Sequence, residues 1–381
     1  MRRSLKLKKI GIITLNDNNN YGNRLQNLAT QKILAKLGFN AETIINKTID
    51  RKNRNIKYYM KRFSVKKMRE FTEQIIKRKI IDKKKKNHIT IEKRKENFKI
   101  FNENITFSKY IINEYKNLEN IEKQYDYFVV GSDQVWNPYL QHIKDVNFLM
   151  FSPKKKNIAY AASFGVEKIP NDMKEKYKEG LNNFREISVR EDKGQEIVET
   201  ITNRKTIVTL DPTMLLTTSE WLEFSKKPEK TPNKKYILTC FLGKITKERI
   251  KFFNKIAKEN EFEIVNLNKL NEKDYYTIGP SEFIYVLKNA SLIFTDSFHV
   301  CAFSILFKKP FYVLERKGTN INMNSRIDTL LNKFKLMDRN LKYLDNNISL
   351  NCDYSGINSI LESERKKSLT FLKKALNIEE I

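Results

Sequence analysis

Cysteine is scarce: the 381 residues hold three, Cys240, Cys301 and Cys352. They are too few and too scattered for a disulfide framework or a zinc site. Cys240 and Cys301 fall in apolar stretches and read as small core residues of a reducing compartment. No apolar run approaches the length of a membrane span. The basic start, MRRSLKLKKIGIITL, has an apolar stretch too short for a signal peptide and no small-residue cleavage site. A soluble, cytoplasmic protein is expected. Acidic residues are also in deficit, 45 against 73 Lys and Arg, giving a formal net charge of +28. Such an excess draws a protein toward polyanions: nucleic acid, anionic lipid or phosphorylated ligands. Much of it lies in residues 51–95, where no nucleic-acid module is recognisable. A solvated helical surface that also suits a membrane face is the expectation for that block, with no specific nucleic acid as partner.

What is present suits an ordered globular chain: 40% hydrophobic residues and 11% aromatics, long enough for two domains. KKIGIITL reads as a strand, NDNNNYGN as a turn-forming loop, and residues 24–37 as a helix ended by Gly38. Strand, loop, helix opens an α/β unit whose ligands bind at the strand's C-terminal edge. Residues 51–121 contain neither Pro nor Gly and are expected to form helices beside or over the sheet, not part of it. Strands resume at 125–130, 156–164, 186–191 and 206–213, with a helix at 172–184 between the second and third. SKKPEKTPNKK, residues 225–235, reads as an interdomain linker. Beyond it come strands in YILTCFLG, FEIVNLN, SLIFTDSF and PFYVLER, and helices at 247–260, 281–289, 300–307 and 325–333. The expected architecture is α/β: two Rossmann-like domains facing a cleft, the glycosyltransferase-B-like plan, with a helical basic insertion in the first domain. The domains are 1–224, carrying the insertion at about 51–121, and 236–345, expected to carry the donor site, with a helical tail over 346–381.

Several segments place reactive side chains at strand-to-helix edges. In TDSFHVCAFSILFKKPF, Ser297 and His299 open a helix whose N-terminal N–H groups and dipole can seat an anion. His299 there can bond a phosphate or deliver a proton; equally, it can be a structural strand-end residue. His88 and His142 lie in a lysine run and a polar loop. In SVREDKG, Arg190 ends a strand and can hold a carboxylate or phosphate with its fork, or pair at the surface with Glu191 or Asp192. In VVGSDQVWNP, Ser132, Asp133 and Gln134 can bond sugar hydroxyls, while Trp136 stacks on a ring or anchors the loop in the core. Arg326 in NMNSRIDTLL opens a late helix, where an exposed position is the default.

Taken in order, NYGNRLQNLATQKILAKLGF, YDYFVVGSDQVWNP, SVREDKG, LDPTMLL, TDSFHVCAFSILFKKPF and NSRIDTLL resemble the polysaccharide pyruvyltransferase family, over about residues 10–331. The resemblance implies a glycosyltransferase-B-like fold, phosphoenolpyruvate as donor and a sugar of an envelope or capsular glycan as acceptor. A lipid-linked form of that sugar is compatible with it, with the enzyme held at the inner face of an anionic membrane. It also implies that Arg190 grips the donor's anionic groups and that His299 is the catalytic acid, with no metal and no redox cofactor. Many members carry Arg two residues before this His, where the chain has Ser297. Arg326, or Arg24 beside Asn23 in the first-domain loop, is then expected to make up the charge. Two other readings stay open: a nucleotide-sugar glycosyltransferase of the same architecture, and a non-catalytic protein that binds polyanions through residues 51–95.

Overall fold

The strands that read as short, continuous apolar runs are buried on both faces, as strands of parallel sheets are when helices cover each side. The structure is a computed structural model and describes residues 7–47, 85–113, 117–140, 145–270, 272–317, 325–341 and 348–378. Seven parallel strands form the first sheet in the order β3-β2-β1-β4-β5-β6-β7. They are β1 (Lys9–Ile13), β2 (Asn40–Asn46), β3 (Phe107–Ile112), β4 (Tyr127–Gly131), β5 (Asn157–Ala162), β6 (Glu186–Val189) and β7 (Ile207–Val208). Five more, β8 (Tyr236–Cys240), β9 (Glu263–Asn266), β10 (Leu292–Thr295), β11 (Phe311–Leu314) and β12 (Asn340–Leu341), form a second parallel sheet in the order β12-β11-β10-β8-β9. Strand order reverses at β1/β4 in one sheet and at β8/β10 in the other. Those reversals open the crevices where ligands enter such folds. Two Rossmann-like α/β units of this kind make the glycosyltransferase-B-like plan.

The longer helices, in chain order, are α1 (Tyr21–Lys36), α2 (Lys85–Asn102), α3 (Lys174–Asn182), α4 (Asp192–Thr202), α5 (Lys247–Glu259), α6 (Pro280–Asn289), α7 (Phe298–Leu306), α8 (Ser325–Lys333) and α9 (Ile357–Ala375). Asn20 caps α1 by accepting from Asn23 N, which fixes where the first loop ends.

The stretch expected to be helical through residue 121 departs from that reading. Residues 107–112 form β3, the edge strand, paired in parallel with β2. FSKYII is aromatic and β-branched at its ends, and an adjoining open edge rewards such a segment for pairing. α2 is helical as its composition suggested; residues 51–84 of the basic block lie outside the described residues. The chain also continues past the strand in PFYVLER to add β12 beside β11.

One apolar cluster runs through both halves. Tyr21 of α1 stacks on Phe283 of α6, with ring centroids 4.4 Å apart, and its hydroxyl donates to Ile278 O at 3.0 Å. Arg94 of α2 closes this seam, donating to Tyr21 Oη at 2.6 Å and Tyr276 O at 2.7 Å. α9 returns to the first half. Ser368 Oγ accepts from Leu210 N at 3.0 Å, and Arg365 donates to Met214 O and Leu216 O at 2.8 and 2.7 Å. Phe371 packs beside Tyr160 at 6.3 Å. Truncating Phe371 to Ala is expected to destabilise the chain by about 3 kcal/mol, read as a lowered urea midpoint. An unchanged midpoint would show that the packing of Phe371 against Tyr160 contributes nothing to stability.

Candidate active site

The C-terminal ends of β4, β6 and β7 and the start of α7 converge between the two halves. Arg190 follows β6 directly and is 3% exposed. Its Nη1 donates to Asp211 Oδ2 at 2.7 Å and stands 3.4 Å from Ser132 Oγ. The same nitrogen is 3.5 Å from His299 Nε2, which itself lies 3.5 Å from Asp211 Oδ2. Its guanidinium sits 4.2 Å from the centre of the Phe298 ring, a cation–π contact supplied by the other half. Surface pairing with Glu191 or Asp192 is therefore not what Arg190 does. Glu191 turns inward instead, and its Oε1 accepts from Ser163 Oγ, Phe164 N and Gly165 N.

One edge of the Arg190 fork remains unused. Nε and Nη2 are buried and carry no hydrogen bond; Asp133 Oδ1 is 3.8 Å from Nη2, too far for one. Those two N–H groups form the side of a guanidinium that holds two oxygens of a carboxylate or phosphate at once.

Asp211 anchors the group. Its Oδ2 accepts from Ser132 Oγ at 2.6 Å as well as from Arg190, and its Oδ1 accepts from Thr213 N at 3.0 Å and Thr213 Oγ1 at 2.6 Å. Burial alone would raise this carboxyl. The charge of His299 and its hydrogen bond, with Arg190 and Ser132, hold it well below the usual carboxylate range. Asp133 is lowered too. Burial again works upward, and His299, Arg190, Asn23 and Arg326 outweigh it. Asp133 adopts a left-handed φ of 65° in the turn after β4, and its Oδ2 accepts from Asn23 Nδ2 at 3.1 Å.

His299 is 7% exposed and packs over Gly22, the second residue of α1. A Cβ at residue 22 would lie 2.0 Å from His299 Nδ1, so only glycine lets the imidazole close against α1. Ser297 starts α7 without capping it, and its backbone N–H donates to Thr295 Oγ1 at 3.0 Å. Arg326, in the first turn of α8, is 4% exposed and so departs from the exposed position expected of it. Burial, followed by the like charge of Arg190, pulls it down to about 10, with Glu191 working in the opposite direction. Arg24 is fully buried and its Nη2 braces the first loop through Leu15 O, Asn16 Oδ1 and Asn23 Oδ1. Gln134 accepts from Asn137 Nδ2 at 2.6 Å and packs on Gly165. Trp136 is fully buried among Phe148, Phe164 and Phe184, a core anchor and not a sugar platform.

Sequence reasoning does not single out Asp211, because an Asp-Pro pair at a strand end reads as a turn. Its presence in LDPTMLL, one of the segments of the resemblance, is the signal that could have found it. Asp296 ties two loops together. Its carboxylate accepts from Leu242 N at 2.7 Å and Gly243 N at 2.8 Å, joining the segments after β8 and β10. Among the described residues no cluster of three or more His, Cys, Asp or Glu side chains could hold a metal ion.

The depressed carboxyl of Asp211 makes stability depend on pH in a defined window. Its contribution is complete above the unfolded value, here 3.8, and is lost as the pH falls below that toward the folded value. In that window the unfolded chain binds the proton that the folded chain refuses. Asp211→Asn is expected to flatten the fall of Tm with acidification below about pH 4. An Asn variant as steeply pH-dependent as the parent would show that the carboxylate is not held by His299 and Arg190.

Comparisons with known proteins bear on what this arrangement belongs to. UDP-GlcNAc 2-epimerase from Methanocaldococcus jannaschii is 16% identical, aligned over 95% of this chain and 99% of its own, with a TM-score of 0.45. UDP-N-acetylglucosamine 2-epimerase from Rickettsia bellii is 10% identical over 97% of each chain, with a TM-score of 0.44. The Thermobaculum terrenum O-GlcNAc transferase is 10% identical over 97% of this chain and 64% of its own, with a TM-score of 0.39. A search of curated proteins found no match. The family model for polysaccharide pyruvyl transferase matches residues 20–318, a span that takes in every residue of the Arg190–Asp211–His299 group, and the chain belongs to that family.

Proposed function

We propose that the protein transfers a pyruvyl group from phosphoenolpyruvate to a sugar of a cell-surface polysaccharide, or its lipid-linked precursor, as a ketal. The observation that carries this reading is the unbonded Nε–Nη2 edge of Arg190, buried beside His299 at the junction of the two halves. A small donor with both a carboxylate and a phosphate suits that edge, with Arg326 adding charge where Ser297 supplies none. The lysine-rich residues 51–95 and the net charge of +28 suit attachment to the anionic inner face of a membrane, where a lipid-linked acceptor would lie.

The reaction follows from the donor's enol phosphate. His299 gives a proton to the methylene carbon, leaving an oxocarbenium-like centre at C2. One sugar hydroxyl adds there and gives its proton to the imidazole, restoring the acid form of His299. A second hydroxyl of the same sugar then displaces phosphate by breaking the C2–O bond, and its proton leaves with the phosphate. Asp211 is the positioning residue in this scheme, holding Arg190 by a hydrogen bond and lying 3.5 Å from the imidazole. Arg190 offsets the charge that grows on the departing phosphate.

A donor screen by thermal shift tests the reading. Phosphoenolpyruvate is expected to raise Tm through preferential binding to the folded chain. Arg190→Lys and Arg326→Ala are expected to weaken that shift, each raising the apparent Kd by about tenfold or more, because a lysine cannot form the two-oxygen fork and an alanine carries no charge. Stabilisation by a UDP-sugar without any by phosphoenolpyruvate would instead assign the site to a nucleotide-sugar transferase. Unchanged affinity in Arg326→Ala would remove that residue from the donor site.

A further inference from the structure

By chain order α2 belongs to the first half, between β2 and β3, yet it is fastened to both halves. Phe98 and Phe101 bury its inner face in the core, and Asn102 Nδ2 donates to Asn18 Oδ1 of the first loop at 3.1 Å. Toward the second half, Asn97 Nδ2 donates to Thr277 O at 2.8 Å. A Cβ on Gly279, the N-cap of α6, would lie 2.8 Å from Asn97 O, so glycine lets the backbones of α2 and α6 meet directly. Arg94, 4% exposed, stands at the centre of this strap.

Its guanidinium is directed wholly at the junction. Nε donates to Asn19 Oδ1 in the first loop, and Nη2 stands 3.4 Å from Asn19 O. Nη1 donates to Tyr21 Oη at 2.6 Å and to Tyr276 O, in the second half, at 2.7 Å. The rings of Tyr21, Phe98 and Tyr276 surround the group at 4.6, 5.0 and 4.9 Å. None of these partners is a carboxylate. The buried charge is offset by oxygens and ring faces drawn from both halves, so it is fully compensated only where Asn19, Tyr21 and Tyr276 come together. Tyr21 passes the contact on, since its hydroxyl accepts from Arg94 and donates to Ile278 O. Burial pushes that hydroxyl up to about 12, against the pull of Arg94, so it keeps the proton it donates.

The two segments that Arg94 joins are the two supports of His299. Tyr21 opens α1, and the imidazole lies on the next residue, Gly22. Tyr276 and Ile278 lead into α6, whose Phe283 meets Phe303 of α7 edge to face with ring centroids 6.3 Å apart. Phe303 is one turn along α7 from His299. A change in the spacing of α1 and α6 therefore shifts the imidazole against Gly22, and with it the 3.5 Å approaches to Arg190 and Asp211. From this geometry we infer that Arg94 is a positioning residue, setting the spacing of α1 and α6 at which His299 stands beside Arg190. The role of His299 as the acid rests on the pyruvyl-transfer reading above; its placement by Arg94 does not.

The test is NMR on the full chain with carbon-13 at histidine Cε1. The chain has three His, and loss of one signal in His299→Gln identifies that of His299. Arg94→Met removes the guanidinium at similar length. Tyr21→Phe removes the shared hydroxyl and keeps the ring against Phe283. Glu229→Gln, the control, breaks only the exposed pair between Glu229 and Lys93 of α2. Arg94→Met and Tyr21→Phe are expected to shift or broaden the His299 signal, and Glu229→Gln to leave it in place. Turnover is followed with phosphoenolpyruvate and a lipid-linked sugar that supports phosphate release by the parent. There Arg94→Met is expected to lower kcat by about tenfold or more and Tyr21→Phe by a few-fold, because a small misplacement of a catalytic group is costly in rate. The phosphoenolpyruvate Kd, from thermal shift, is expected to stay within about twofold of the parent's, a small change in binding free energy. A parent-like His299 signal in both variants, or weakened phosphoenolpyruvate binding with kcat unchanged, would overturn the inference. If Arg94→Met does not fold, Tyr21→Phe decides alone. Absence of any phosphoenolpyruvate shift in the parent would sink the donor reading instead, and the His299 signal would still decide what Arg94 does.

Discussion

Arg190 and Asp211 meet at 2.7 Å with almost no exposure to solvent, and the rest of the site is arranged around that contact. A buried ion pair holds only if both charges stay compensated, because removing either partner leaves an uncompensated charge that costs about 3 kcal/mol or more. The surroundings supply this compensation. Ser132 and Thr213 satisfy the carboxylate, and Phe298 offers its ring face to the guanidinium. Because Phe298 and His299 come from the second sheet's unit, the pair is complete only when the two halves are together.

The junction of the halves thus sets the chemistry. Tyr21 stacks on Phe283, and Arg94 ties both the Tyr21 hydroxyl and the backbone at Tyr276 to α2. One residue further along α1, Gly22 gives His299 room to lie against the helix. The next residue, Asn23, reaches Asp133. Three consecutive residues of α1 therefore register the halves, seat the imidazole and hold the turn after β4. Sheet edges place the reactive groups, and this helix start sets their spacing.

Much of this was legible in the sequence. Strands such as β1, β4, β8, β10 and β11 are short apolar runs ended by turn residues, a pattern that needs no tertiary information. The rule that ligands gather at strand ends drew attention to Arg190, Ser132, Asp133 and His299, and the structure brings these four together. Other features were hidden for physical reasons. β2 and β3 mix polar and apolar residues, and β3 becomes a strand only because a neighbouring edge accepts it. Asp211 looks like a turn residue until folding brings β6 beside β7. Arg326 has the local pattern of an exposed helix start and is buried only because α8 faces α4 across the junction, where Thr329 Oγ1 donates to Asp192 Oδ2.

The most direct measurement of the central claim is turnover. The enzyme is incubated with phosphoenolpyruvate and a panel of lipid-linked sugar acceptors, and phosphate release is followed together with product mass. The account predicts phosphate released in step with a product heavier by pyruvic acid less one water, and neither from His299→Gln. Phosphate release without that mass gain, or equal turnover by His299→Gln, would contradict it.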